Sequence, residues 1–216
     1  MSWRQYRPIE AGEYIIAGGD CSQGGKDKNT CQFYSKTKMD IPLVYQERGV
    51  AVQMTTELFP LLEKICEVTG IPPVIGLERN NGGASELERL NNMNRLNKYK
   101  IFMHKPVGHK RTFSSTKFGW DITAYSRGAM LGDLKDAIDK AIIKIYDEPT
   151  INELWSFVEV FRGGRWQGEA DAGMNDDLVM ALAGVWMMSQ QVKEPITGNR
   201  LKVRQVWDNS FIKKYL

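Results

Sequence analysis

From Tyr14 to Ala17 the chain is apolar, and it then runs through Gly18 and Gly19 into Asp20, Cys21 and Ser22. This pattern predicts a short buried strand over residues 13–19 that ends in a carboxylate, with a Gly-rich turn, Gln23-Gly24-Gly25-Lys26-Asp27, directly after it. Residues 31–35 and 41–47 predict two further strands, and the polar stretch Lys36-Thr37-Lys38-Met39-Asp40 joins them as a hairpin turn. The three together predict an antiparallel meander. The apolar period then lengthens: Leu58, Leu61, Leu62, Ile65, Cys66 and Val68 share one side of a helix over residues 55–69. Thr55 or Thr56 is the expected cap, and Gly70 the stop.

Pro72-Pro73 forces extended chain, and Val74-Ile75-Gly76-Leu77 predicts a fourth strand, again ending in an acid, Glu78. A tight turn at Asn80-Asn81-Gly82-Gly83, a helix over 84–94 and a strand over 99–104 follow. Alternating strands and helices call for a largely parallel sheet covered by helices in this part of the chain. Residues 105–119 read as an exposed basic loop, residues 128–146 as a long amphipathic helix or helix pair, and residues 151–161 as a segment that starts polar and becomes strand-like. A hairpin turn over 163–168, with a short strand after it, precedes a helix over 175–190 that is apolar nearly all round after an acidic start, as a buried helix is. The organisation expected is one domain over 1–216, with its core at about 12–190 and a basic C-terminal tail over 192–216.

Composition changes this picture little. Of 216 residues, 42% are hydrophobic and 25% charged, which is ordinary for a globular domain. A net charge of +3 does not by itself argue for nucleic acid, but is compatible with it where the charge is clustered. The three cysteines, Cys21, Cys31 and Cys66, form no CxxC pair, and the odd count points to a reducing compartment. No run of 18 apolar residues exists, and Met1-Ser2-Trp3-Arg4-Gln5 lacks the apolar core of a signal peptide.

The candidate chemistry lies in acids placed where an apolar element meets a turn: Asp20, Glu78, and the pair Asp176 and Asp177 at the start of the last helix. Each has an ordinary reading. Asp20 could be a turn former, Glu78 a surface charge paired with Arg79, and the Asp pair a helix cap. Their conjunction in this element order suggests convergence at one sheet edge. Carboxylates gathered in that way repel, and magnesium, which takes oxygen ligands, offsets the repulsion.

Rival motifs fail. Gly24-Gly25-Lys26 misses the GxxxxGK[ST] phosphate loop, because Asp20 stands where its first Gly belongs and Asp27 where its Ser or Thr belongs. His104 and His109 have no zinc-site spacing, and Cys21 beside Asp20 reads as buried filler. Trp155, Trp166 and Trp186 are expected in the core.

The succession Gly19-Asp20-Cys21-Ser22, then Ile75-Gly76-Leu77-Glu78-Arg79-Asn80-Asn81-Gly82-Gly83, then Gly119-Trp120 and Ser126-Arg127, then Asn175-Asp176-Asp177-Leu178-Val179-Met180-Ala181-Leu182-Ala183 resembles the nuclease domain of the large terminase subunit of tailed bacteriophages. That domain is a relative of RNase H and of the Holliday-junction resolvases. The last motif is the most specific part.

The resemblance implies an α/β, RNase H-like fold with a mixed central β-sheet flanked by α-helices. It implies a metal-dependent endonuclease that cuts concatemeric viral double-stranded DNA during genome packaging, by two-metal phosphodiester hydrolysis with magnesium or manganese. Asp20, Glu78, Asp176 and Asp177 would be the catalytic and metal-binding residues, with the choice between Asp176 and Asp177 as direct ligand left open. The family often has Asp at the second position, so Glu78 is a longer arm.

Terminase small subunit and portal would be partners of the full-length protein, with no membrane involved, in the host cytoplasm. Full-length members also carry a packaging ATPase, which nothing here resembles, so an isolated domain or fragment is expected. Lys26, Lys28, Lys105, Lys110, Arg111 and Lys117, with Lys100, are the candidate phosphate contacts. Two other readings stand beside this one: a non-catalytic DNA-binding or motor-docking module, and a junction resolvase.

Overall fold

A computed structural model describes residues 2–104, 117–162, 165–170, 175–193 and 195, with side chains described except at residues 25, 26, 124, 125, 158–162 and 165–170. The strands are β1 (Trp3–Gln5), β2 (Ile15–Asp20), β3 (Gln23–Ser35), β4 (Asp40–Val50), β5 (Val74–Leu77), β6 (Lys100–Ile101), β7 (Phe157–Arg162) and β8 (Arg165–Ala170). The helices are α1 (Ala51–Thr69), α2 (Gly83–Met93), α3 (Ala124–Asp139), α4 (Glu148–Trp155) and α5 (Asp177–Gln191). The first six strands form one sheet in the order β1-β4-β3-β2-β5-β6, and β7 and β8 form a separate antiparallel hairpin.

Strands β2, β3 and β4 are the expected meander, while β5 and β6 run parallel to β2, so the sheet is mixed. Alternation along β2 sets its two faces. Ile15 and Ala17 point into a core with Phe33, Leu43 and helix α1, whereas Ile16 joins Tyr34, Val44 and residues of α3 and α5. Helix α5 lies close on β2, because a Cβ on Gly18 would stand 2.8 Å from the backbone nitrogen of Val185. This close approach brings the start of α5 toward the end of β2.

Several boundaries differ from the pattern-based expectation. Gln23 to Asp27 is not a turn but the start of the 13-residue β3, whose register against β4 shifts between Gln23 and Lys28. The glycines there serve an irregular strand, with Gly24 at φ +100. Helix α1 begins at Ala51, and neither Thr55 nor Thr56 caps it. Gln53 reaches back to accept from the Val50 N–H at 3.2 Å, and the Thr55 hydroxyl bonds Glu86 instead.

The long helix expected over 128–146 is shorter and starts earlier, as α3. Thr123 and Ser126 cap one another at its start, and the chain leaves the helix near Ala141, which has φ +50. Helix α4 was not expected. Its signal is local: Asp147 accepts from the Thr150 N–H, and Pro149 sits in the first turn. Trp155 at its end is 83% exposed rather than in the core, whereas Trp186 is 8% exposed, as expected. The side chain of Trp166 lies outside the described ones.

The first residues are anchored by two ion-pair networks. Arg4 and Tyr6 meet the fully buried Asp147, and Arg7 meets Glu13 and Asp40. Of the tail, only residues 192, 193 and 195 are among the described residues. No helix among the described residues is long and apolar enough to cross a membrane.

Candidate active site

Strands β2 and β5 run side by side with Gly18 opposite Gly76 and Gly19 opposite Leu77. Asp20 and Glu78 are therefore next to one another at the same sheet edge. The Glu78 N–H donates to the Gly19 carbonyl at 2.9 Å, and an isolated bridge joins Glu78 to Trp120 on its other side. Glu78 is 9% exposed, and its Oε1 accepts from the Asn80 amide at 2.8 Å. Gly83 makes this turn possible, since a Cβ there would stand 1.8 Å from the Glu78 carbonyl oxygen. Arg79 is not the partner of Glu78: it pairs with Asp121 at 3.0 Å and donates to the Phe118 carbonyl.

The α5 acids approach this edge from above. Met180 closes the first helical turn onto the Asp176 carbonyl at 2.8 Å, but the Asp176 side chain makes no cap bond. The Asp177 Oδ2 accepts from the Lys28 N–H on β3 at 3.2 Å, and the Thr30 hydroxyl donates to the Asp177 carbonyl at 2.9 Å. Thr30 pairs with Asp20 across β2 and β3, so these contacts tie the helix start to the strand beside Asp20. Asp176 instead meets Arg127 of α3, with Nη2 2.5 Å from Oδ2.

The helix cap comes from a residue that the sequence pattern did not single out. Glu153 of α4 accepts from the Leu178 N–H at 2.8 Å and from the Val179 N–H at 3.4 Å. A carboxylate there satisfies the free N–H groups and complements the helix dipole. It also releases Asp176 and Asp177 from the capping duty that is their ordinary explanation. No spacing rule links Glu153 to α5, because the pairing exists only through the tertiary fold.

Electrostatics follow from this crowding. Burial pushes the Asp20 carboxyl well above the usual carboxylate range, and the charges of Glu78, Asp177 and Asp176 push it further. The Cys21 N–H opposes the rise by donating to it. Burial likewise raises Glu78, against the Asn80 hydrogen bond, the Arg127 charge and a hydrogen bond with Asp20. Both carboxyls are thus pushed toward the protonated form, by burial first. Burial also raises Asp177, and it raises Glu153 to about 7.

The donor chemistry fits a hard divalent ion. Every candidate ligand is a carboxylate, Asp20 and Glu78 adjoin with no ion pair of their own among the described residues, and burial makes their charge costly without a cation. The set is nevertheless not drawn together: among the described residues no group of three or more His, Cys, Asp or Glu stands close enough to hold an ion. Asp176 is paired with Arg127, and Asp177 accepts from the Lys28 N–H.

The proposed DNA-contacting residues divide. Lys28 is half-buried beside Asp177, while Lys100 and Lys117 are exposed. Lys105, Lys110 and Arg111 lie outside the described residues, and so does the side chain of Lys26. His104 stacks on Phe102 with ring centroids 6.4 Å apart, and His109 lies outside the described residues. Cys21 is buried, and burial raises its thiol, as expected of filler.

No protein-family model matches the chain, and no curated protein matches it. Solved structures do. The large terminase nuclease from thermophilic phage G20c with bound cobalt is similar at a TM-score of 0.65 and 14% identity, with 89% of each chain covered. The large terminase nuclease domain of Thermus phage P74-26 is similar at 0.63 and 15% identity, with 86% of this chain and 85% of that one covered. The nuclease domain of the large terminase subunit of bacterial virus Sf6, with manganese and beta-thujaplicinol, is similar at 0.60 and 12% identity, with 86% and 91% covered. The chain therefore has the RNase H-like fold of large terminase nuclease domains.

Proposed function

We propose that the chain is a divalent-metal-dependent DNA endonuclease, cutting concatemeric viral double-stranded DNA during genome packaging. The observation that carries this reading is the junction of Asp20 and Glu78 at the ends of neighbouring parallel strands, beneath a helix start whose two acids are freed from capping by Glu153. The same fold in proteins described as large terminase nucleases, solved with cobalt or manganese, supports it.

Asp20, Glu78 and one or both of Asp176 and Asp177 would hold magnesium or manganese, two ions in the full mechanism. Ions bound there would supply the polarisation of a phosphodiester and the activation of water. The chain's own residues do the rest. Asp20 and Glu78, both raised by burial, would meet a cation as carboxylates and release the protons that burial favours. The Lys28 N–H and Thr30 hold the Asp177 end of the helix in place. Exposed Lys100 and Lys117, with Lys26, Lys28, Lys105, Lys110 and Arg111, would meet backbone phosphates without reading sequence. In a full-length terminase the small subunit and portal would be partners, in the host cytoplasm.

A second reading has one observation in its favour: the acids are not gathered closely enough to hold an ion among the described residues, as in a DNA-binding or motor-docking module that kept the fold. Plasmid nicking in magnesium or manganese by the wild type and by Asp20→Ala decides between them. Cleavage by the wild type alone supports the nuclease. Equal cleavage by both removes Asp20 from the site, and metal-independent DNA binding without cleavage supports the module. Preference for four-way junctions over linear duplex would identify a resolvase instead.

A further inference from the structure

Arg127 is the one cation paired directly with an acid of the candidate site among the described residues. It stands in the first turns of α3, behind a start fixed by the mutual Thr123 and Ser126 cap, so its backbone is anchored. Its guanidinium reaches Asp176 at 2.5 Å, and its charge also acts on Glu78. It thus supplies positive charge on the side of the cluster where Asp176 faces Glu78. The pair is partly open to water, with side chains 29% and 32% exposed. An ion pair so placed is weak and easily exchanged.

We propose that Arg127 is the resting counter-ion of this site, and that it competes with the divalent ion for Asp176. This rests on the metal-site reading above and adds how that site is controlled. Without a bound ion the guanidinium would neutralise Asp176 and hold its carboxylate on the α3 side. Entry of the ion requires Asp176 to leave Arg127. Arg127 is therefore a positioning residue for a ligand, and its pairing keeps the site lightly loaded until the ion is abundant.

The test is calorimetric titration of manganese into the full chain as wild type, Arg127→Met, Arg127→Gln and Lys28→Met. Lys28 is a second cation beside the cluster, acting on Asp177 through its charge, but not ion-paired to Asp176. Both Arg127 variants are expected to bind manganese about twofold to fivefold more tightly than the wild type, the range that an exchangeable partly exposed ion pair supports. The Lys28 variant is expected to show a smaller change. Manganese affinity unchanged or weakened in the Arg127 variants would overturn the proposal while leaving the metal site standing. Equal tightening in the Lys28 variant would also overturn it, because the effect would then belong to the general field rather than to the pairing. Absence of manganese binding in all four proteins would remove the metal-site reading itself, and the proposal with it.

Discussion

Replacing Asp20 by Asn should stabilise the protein when no metal is present, although it is expected to abolish cleavage. Asp20 and Glu78 end neighbouring parallel strands, and such strands lie about 4.8 Å apart. Carboxylates that kept this spacing would repel by about 3 kcal/mol at an effective dielectric near 20. The repulsion exists only when both are ionised. Both folded-state pKa values are raised, by burial first, so the folded protein holds protons that the unfolded chain releases. The stability that these two groups contribute is thus fully present in acid, below the ordinary carboxylate range, and is lost as pH rises through the raised folded values.

The variant lacks one of these charges, so its advantage should be small at pH 5 and approach about 3 kcal/mol at pH 8.5. For a domain of this size that is roughly 6–12 °C in Tm. Thermal melts in EDTA at the two pH values read it directly. Excess manganese should then invert the order, raising the wild type more than the variant. A variant that melts at or below the wild type at pH 8.5 in EDTA would refute the idea that like charges are held together here.

Other consequences can be measured separately. Glu153→Ala should cost about 1–2 kcal/mol in chemical denaturation, by uncapping Leu178 and Val179, and should also lower cleavage, whereas Glu153→Gln should keep most of the stability at pH 8 because burial raises the carboxyl to about 7. Asp147 is fully buried, and its pKa is lowered by Arg4, Thr150 and Tyr6 against the burial penalty, so its contribution is present above the ordinary carboxylate range and lost as pH falls through the folded value. Asp147→Ala should cost about 3–5 kcal/mol near neutral pH, read by urea unfolding, because Arg4 is left without its partner. Gly18→Ala should cost about 1–3 kcal/mol and reduce cleavage, since its Cβ would push α5 away from β2 and so shift Asp177 relative to Asp20.

The parts of this fold that were legible in the sequence are those set by short-range pattern. The meander, β5, α2 and the buried α5 follow from apolar period and from Gly70, which closes α1 in the left-handed conformation at φ 71. The α1 start was obscured because Gln53 caps it from inside the helix, while Thr55 is spent on Glu86. Helix α4 was obscured by length: eight residues give little period, although Asp147 and Pro149 mark its start. In the site, Asp20 and Glu78 were legible as strand ends, and their adjacency follows once β2 and β5 are parallel neighbours. The roles of Glu153 and Arg127 were not, because each acts on α5 from another helix.

The most direct measurement is an anomalous-scattering map from crystals of the full chain soaked in manganese. The account predicts a peak bounded by Asp20, Glu78 and at least one of Asp176 and Asp177, with Arg127 no longer on Asp176. A peak elsewhere, or manganese that leaves these carboxylates paired to Arg127 and to one another, would contradict it.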